Sequence, residues 1–136
     1  MKMNPVVHFE MPAEDKERVS KFYKNAFGWD MQIMGAEYGE YVLAMTTESD
    51  EKGPKKPGAI NGGFFKKQKD NPKECPHVVI SVDDLKEGIK AVEEAGGEIV
   101  GEQMDIPGVG LYVSFLDTEG NSVGMLQPSS RGRMEK

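Results

Sequence analysis

The feature that most constrains the fold of this chain is an internal repeat with a spacing of 69 residues. A shift of 69 positions aligns the two halves without a gap from the first strand through the first helix. The identical pairs are His8 and His77, Asp15 and Asp84, Lys21 and Lys90, Ala26 and Ala95, and Gly28 and Gly97. A period this long, present only twice, excludes a solenoid and favours a domain built from two related modules.

Each copy begins with an alternating strand and continues with an amphipathic helix. In the first copy, residues 6–11 alternate between apolar and polar side chains, as a half-buried strand does. Asp15 is the predicted helix N-cap, and Gly28 is the predicted left-handed residue at the helix end. The helical spacing predicts a core-facing stripe formed by Val19, Phe22, Tyr23, Ala26 and Phe27.

Three strand candidates follow the helix in each copy, so each module reads β-α-β-β-β. We therefore expect an α+β fold and one domain over residues 1–136, with module 1 at about 5–66 and module 2 at about 76–128. The polar stretch 66–76 is the predicted linker between them. A length of 136 residues fits one domain, because domains typically contain about 100–200 residues.

Composition excludes several classes of function. The net charge of −6 is unsuited to binding a phosphate backbone, so we expect no nucleic-acid partner. No apolar run approaches the roughly 18 residues that a membrane span requires, so we expect no membrane partner. Cys75 is the only cysteine, which excludes an internal disulfide. Together with the absence of a signal-peptide pattern, this predicts a cytoplasmic protein.

Two separated strings carry a resemblance to a known family. The string His8-Phe9-Glu10 precedes Phe22-Tyr23 and Phe27-Gly28-Trp29, and residues 115–121 read Phe-Leu-Asp-Thr-Glu-Gly-Asn. This pattern resembles the vicinal oxygen chelate superfamily, which includes glyoxalase I, bleomycin resistance proteins and extradiol dioxygenases. The nearest branch is the one called lactoylglutathione-lyase-related. The resemblance implies that the two modules form one cupped mixed sheet with a ligand site inside the cup.

The resemblance also implies four metal-ligand positions, of which this chain fills two well. His8 and His77 match the histidine positions at the start of each module. The family's final glutamate falls on Gly124, which has no side chain, and the nearest residue to the first module's glutamate is Asn61. Two imidazoles alone make a weak site for zinc, nickel, iron or manganese. Glu10 shares the His8 face of its strand about 7 Å further along and would complete a two-histidine, one-carboxylate set.

Two readings of function stay open at this point. The leading reading is a metal-free protein that binds a small molecule in the cup through His8, Glu10, Asn61 and His77. The alternative is a metal-dependent lyase, isomerase or dioxygenase that uses His8, Glu10 and His77, with Glu10 as catalytic base.

Each of these residues also has a purely structural interpretation. The histidines would then be hydrogen-bonded residues without a ligand, and Glu10 a solvated strand residue. The glycines after Asn61 either curve the sheet or let the backbone or a ring of a ligand approach closely. From the resemblance we expect a homodimer.

Overall fold

The structure is a computed structural model that describes residues 2–68 and 74–129. It contains ten strands, β1 Val6–Ala13, β2 Asp30–Ile33, β3 Val42–Met45, β4 Ser49–Asp50, β5 Gly53–Pro54, β6 Asn61–Lys66, β7 His77–Ser81, β8 Glu98–Ile106, β9 Gly110–Leu116 and β10 Ser122–Pro128. The two α-helices are α1 Lys16–Phe27 and α2 Leu85–Glu94, and a 3-10 turn spans Ala36–Tyr38. The strands form both parallel and antiparallel pairs, and β4 and β5 form a separate hairpin, which confirms the α+β class.

The chain divides into two compact units at the point where the sequence repeat restarts. Among the described residues, the first unit comprises 8–68 and 74–76, and the second comprises 2–7 and 77–129. Residues 69–73 of the predicted linker lie outside the described residues. None of the described helices is long and apolar enough to cross a membrane.

In the first unit the strand order is β2-β3-β6-β1. Strand β1 runs parallel to β6, and β3 is antiparallel to both β6 and β2. Helix α1 packs on one face of this sheet. The buried residues Val42, Ala44 and Phe64 form the centre of that core, with Val19 and Tyr23 of α1 packed against them.

Local sequence signals set the ends of α1. The Asp15 carboxylate accepts a hydrogen bond from the Arg18 backbone N–H at 2.9 Å, and Gly28 adopts a left-handed conformation with φ of 74°. Both predicted caps are confirmed.

The predicted five-residue core stripe on α1 is only partly correct. Val19 and Tyr23 face the sheet, whereas Ala26 is exposed and Phe22 and Phe27 are 58% and 64% exposed. Helical spacing identifies the apolar side of a helix but not the width that a sheet covers, and here the sheet covers only the centre of the stripe.

The second unit repeats the same internal pairing, with strand order β7-β10-β9-β8. Strand β7 is parallel to β10, and β9 is antiparallel to both β10 and β8. Its core contains Val82, Leu85, Val113 and Met125. The Asp84 side chain caps α2 by accepting from the Lys86 and Glu87 backbone N–H groups, at 2.9 and 3.4 Å.

Strand β8 contains a pronounced irregularity. Val100 pairs with Ser114 and Met104 pairs with Tyr112, so β8 holds two more residues than β9 over the same span. Gly101, inside this bulge, has φ of 76°. A bulge bends its strand and increases the local twist.

Candidate functional site

Alternation along β1 separates the side chains of the first unit into two sets. Phe9 and Met11 pack into the core beneath α1, so His8 and Glu10 lie on the opposite face of the sheet. In the parallel register, Asn61 is opposite His8 and Gly63 is opposite Glu10. We call this face, which carries His8, Glu10 and Tyr41, the site face.

A tyrosine joins the two polar residues of β1. The Tyr41 hydroxyl donates to Glu10 Oε2 at 2.9 Å and lies 3.1 Å from His8 Nε2. A phenol has one proton, and here it points to Glu10, so the His8–Tyr41 hydrogen bond requires a proton on His8 Nε2. We therefore assign the direction His8 Nε2–H to Tyr41 and Tyr41 O–H to Glu10. All three residues are half-buried.

A glycine makes room for this tyrosine. A β-carbon on Gly63 would collide with the hydroxyl and ring of Tyr41. On the opposite face, a β-carbon on Gly62 would lie 2.5 Å from the Phe9 ring. The rings that approach these two glycines closely therefore belong to the protein itself.

Asn61 is held by the loop that precedes β6. Its Oδ1 accepts from the Thr46 backbone N–H at 2.8 Å, and its Nδ2 donates to Ser49 Oγ at 2.8 Å. The Thr46 hydroxyl also donates to the Ile60 carbonyl at 2.6 Å. These bonds use both ends of the Asn61 amide to anchor the segment between β3 and β6.

The second unit carries the same framework with different side chains. Gly124 is opposite Val79, as Gly63 is opposite Glu10, and His77 and Val79 follow His8 and Glu10 at the 69-residue spacing. Gly63, rather than Asn61, is thus the internal equivalent of Gly124. Buried Val79 takes the place of Glu10, so the carboxylate is confined to the first unit.

A second tyrosine covers the second glycine. A β-carbon on Gly124 would lie 2.8 Å from Cζ of Tyr112 and still closer to its hydroxyl. Tyr41 precedes the β3 partner of Gly63 by two residues, and Tyr112 precedes the β9 partner of Gly124 by two. Both positions that lack a carboxylate are therefore filled by a tyrosine.

The ligand sets of transition-metal sites consist of clustered His, Cys, Asp and Glu side chains. Within each unit, the described part of the chain contains no cluster of three His, Cys, Asp or Glu side chains that could hold a metal ion. In the first unit, the Nε2 atom of His8 is hydrogen-bonded to the Tyr41 hydroxyl at 3.1 Å. His77 is half-buried at the start of β7.

A charged cluster lies beside Tyr41 in the chain. Glu40 Oε1 is 2.9 Å from Lys16 Nζ, and Glu40 Oε2 is 3.5 Å from Lys66 Nζ. The hydrogen bond from Lys16, and then the positive charges of both lysines, lower the pKa of the Glu40 carboxyl. The same hydrogen bond raises the pKa of Lys16. These groups border a cavity of about 280 Å³ at the start of α1.

Sequence reasoning missed the importance of Tyr41 and Tyr112. A usable signal exists, because each tyrosine lies two residues before the strand residue that pairs with a glycine in the last strand of its own unit. That signal requires the strand register, because the spacing between the modules changes after the helices from 69 to 71 at the tyrosines and 61 at the glycines.

Comparison with known proteins gives consistent results. The sequence model described as the Glyoxalase/Bleomycin resistance protein/Dioxygenase superfamily matches residues 6–125. A glyoxylase-like domain-containing protein from Didymella fabae is 35% identical over 116 residues, which cover 83% of this chain and 85% of the relative.

Solved structures show the same fold at low identity. Methylmalonyl-CoA epimerase from Mycobacterium tuberculosis superposes with a TM-score of 0.67 at 13% identity, covering 95% of this chain and 91% of the other. A superfamily member from Vibrio splendidus 12B01 gives 0.57 at 12% identity, covering 90% and 97%. At this level of identity the likeness concerns the fold alone.

Proposed function

Because the chain belongs to the glyoxalase/bleomycin resistance protein/dioxygenase superfamily, we propose that it binds a small molecule on the site face without a metal ion. The observation that carries this proposal is the hydrogen-bonded chain His8–Tyr41–Glu10. It places three polar side chains together on a half-buried surface, as ligand pockets do with their few convergent polar groups.

The surroundings of this chain favour a partly apolar ligand. Leu43 pairs with Gly63, and Met45 lies two residues further along β3, so both share the site face and both are half-buried. A ligand with one polar end would contact His8, Tyr41 or Glu10 and rest its apolar part on these side chains. Asn61 supports the surface by anchoring the neighbouring loop.

Two observations favour binding without metal over the metal-dependent alternative. The two glycines at the carboxylate positions are covered by tyrosine rings, and the Nε2 atom of His8 is hydrogen-bonded to the Tyr41 hydroxyl. The alternative, a lyase, isomerase or dioxygenase using His8, Glu10 and His77, remains an outcome of the test. The cytoplasmic location and the homodimer also stay predictions.

The test is a thermal-shift screen in the presence of EDTA. The compounds are small, partly apolar molecules that carry a hydroxyl, carbonyl or amine group. A ligand that binds only the folded state at 100 times its Kd stabilises the protein by about 2.7 kcal/mol. We expect at least one compound to raise the melting temperature equally with and without EDTA.

Matched variants locate the binding site. The shift should shrink in His8→Ala, Glu10→Gln and Tyr41→Phe, and persist in the controls Glu37→Gln and Tyr38→Phe. These controls make the same chemical changes in the exposed turn before β3. Shifts that appear only when zinc, nickel, iron or manganese is added would favour the metal-dependent alternative.

A further inference from the structure

The turn that leads into Tyr41 has an unusual backbone. Residues 35–41 are held by short-range hydrogen bonds, including Gly39 N–H to the Ala36 carbonyl at 3.0 Å and Tyr41 N–H to the Tyr38 carbonyl at 3.3 Å. Gly39 is left-handed with φ of 66°, and Glu40 follows with φ of 59°. Among the residues that the structure describes, Glu40 is the only non-glycine with positive φ.

A residue with a β-carbon adopts this conformation only when its surroundings hold it there. For Glu40, the holding contacts come from two separate elements. Lys16 is the first residue of α1 and Lys66 the last residue of β6, and each binds a different oxygen of the Glu40 carboxylate. The side chain therefore ties the turn to both the helix and the sheet.

The same strand supports the next residue in the chain. Strand β6 carries Lys66, which binds Glu40, and Gly63, over which the Tyr41 ring lies. The Tyr41 carbonyl also accepts from the Met34 backbone N–H at 2.8 Å. Holding Glu40 against β6 therefore fixes the position of the Tyr41 Cα atom, from which the ring extends, relative to β1 and β6.

We propose that Glu40, held by Lys16 and Lys66, is a positioning residue that places the Tyr41 hydroxyl against His8 and Glu10. Glu40 acts through Tyr41. Its carboxylate contacts Lys16 of α1, the helix that packs on the face of the sheet opposite the site face. The three charged side chains are partly exposed, so dissolved salt weakens their attraction. For ligand binding, this inference rests on the proposed function. The affinity for a ligand on the site face should then depend on ionic strength.

The placement of Tyr41 can be measured without any ligand. The chain contains only two histidines, His8 and His77, so a ¹⁵N-histidine NMR spectrum is simple to assign. Tyr41→Phe removes the oxygen that faces His8 Nε2 and defines the spectrum of the uncoupled ring. We expect Glu40→Gln to move the His8 Nε2 signal most of the way toward that reference. The control Glu37→Gln, in the same turn, should leave it unchanged.

Further variants separate charge from folding. Lys16→Met and Lys66→Met remove the partners without altering the turn and should each produce part of the shift. Glu40→Asn tolerates a left-handed backbone yet cannot reach the lysines, and should behave like Glu40→Gln if the ion pairs matter. Raising the salt concentration should shift His8 in the wild type but not in Glu40→Gln. Circular dichroism confirms that each variant is folded.

An unchanged His8 signal in folded Glu40→Gln and in both lysine variants would overturn the positioning role. A positive NMR result combined with a ligand screen that finds no binder would instead refute the proposed function and leave the positioning role intact. The two failures are therefore distinguishable.

Discussion

The fit between Gly63 and Tyr41 predicts the effect of adding a single methyl group. Gly63 does not have positive φ, so its backbone accepts alanine, but the new β-carbon collides with the Tyr41 ring and hydroxyl. Displacing the ring breaks its hydrogen bonds to His8 and Glu10, each worth about 0.5–1.5 kcal/mol. Alanine in place of glycine also raises the free energy of unfolding by about 0.4–1 kcal/mol, because it restricts the unfolded chain. We expect Gly63→Ala to cost about 1–2 kcal/mol in free energy of unfolding.

The assay is urea unfolding arranged as a double-mutant cycle. In a Tyr41→Ala background the ring is absent, so Gly63→Ala should be nearly neutral or slightly stabilising. The coupling energy should then be about 1 kcal/mol or more, within the range found for residues in contact. Gly35→Ala is the control, because its β-carbon meets only the Glu37 carboxylate at 3.4 Å. An equal cost of Gly63→Ala in both backgrounds would refute the steric argument.

Four further predictions follow from the site and the turns. Protein purified without a histidine tag should contain well under one equivalent of zinc, nickel, iron or manganese by elemental analysis, and a full equivalent retained through dialysis would contradict this. The methylglyoxal–glutathione adduct should not be converted above background even with added zinc or nickel, since Gly63 and Gly124 offer no carboxylate; lactoylglutathione formation abolished by Glu10→Gln would make Glu10 the base. Hydrogen bonds from the Asn121 side chain and backbone lower the Asp117 pKa below its ordinary 3.8. The ionised Asp117 therefore stabilises the folded protein above the pKa that it has in the unfolded chain, and this stabilisation is lost as the pH falls through its pKa in the folded protein. In urea unfolding, the destabilisation caused by Asp117→Asn should accordingly shrink between about pH 7 and pH 3. Light scattering should report a homodimer, and a mass of 15.0 kDa at micromolar concentration would disprove it.

The sequence predicted those features that depend on neighbouring residues. Asp15 and Gly28 cap α1 as expected, because a cap involves only the adjacent turn. The repeat predicted that both modules would have the same element order. The exposure of Phe22 and Phe27 was not predictable, because it depends on how the helix sits on a sheet formed by distant segments.

The candidate site was predictable only in part, for the same reason. His8 and Glu10 share a face by strand alternation, which the sequence shows directly. Tyr41 joins them because β3 pairs with β6 in a specific register, and Gly63 is the residue that makes the approach possible. Residues separated by more than 30 positions carry no local signal for such a contact. Reasoning from the family pattern therefore selected Asn61, two residues before the position that the register indicates.

The bulge in β8 has a consequence for the solubility of the protein at high concentration. Within its unit, β8 is an edge strand of nine residues and exposes Val100 and Met104. A long edge strand with exposed apolar side chains can pair with a strand of another chain. The two extra residues and the left-handed Gly101 interrupt the row of backbone groups that such a chain would need. Exposed Glu98, Glu102 and Asp105 also place negative charge along this edge strand. The edge therefore resists fibre-like stacking, and shortening β8 to remove the bulge would lower the concentration at which the protein aggregates.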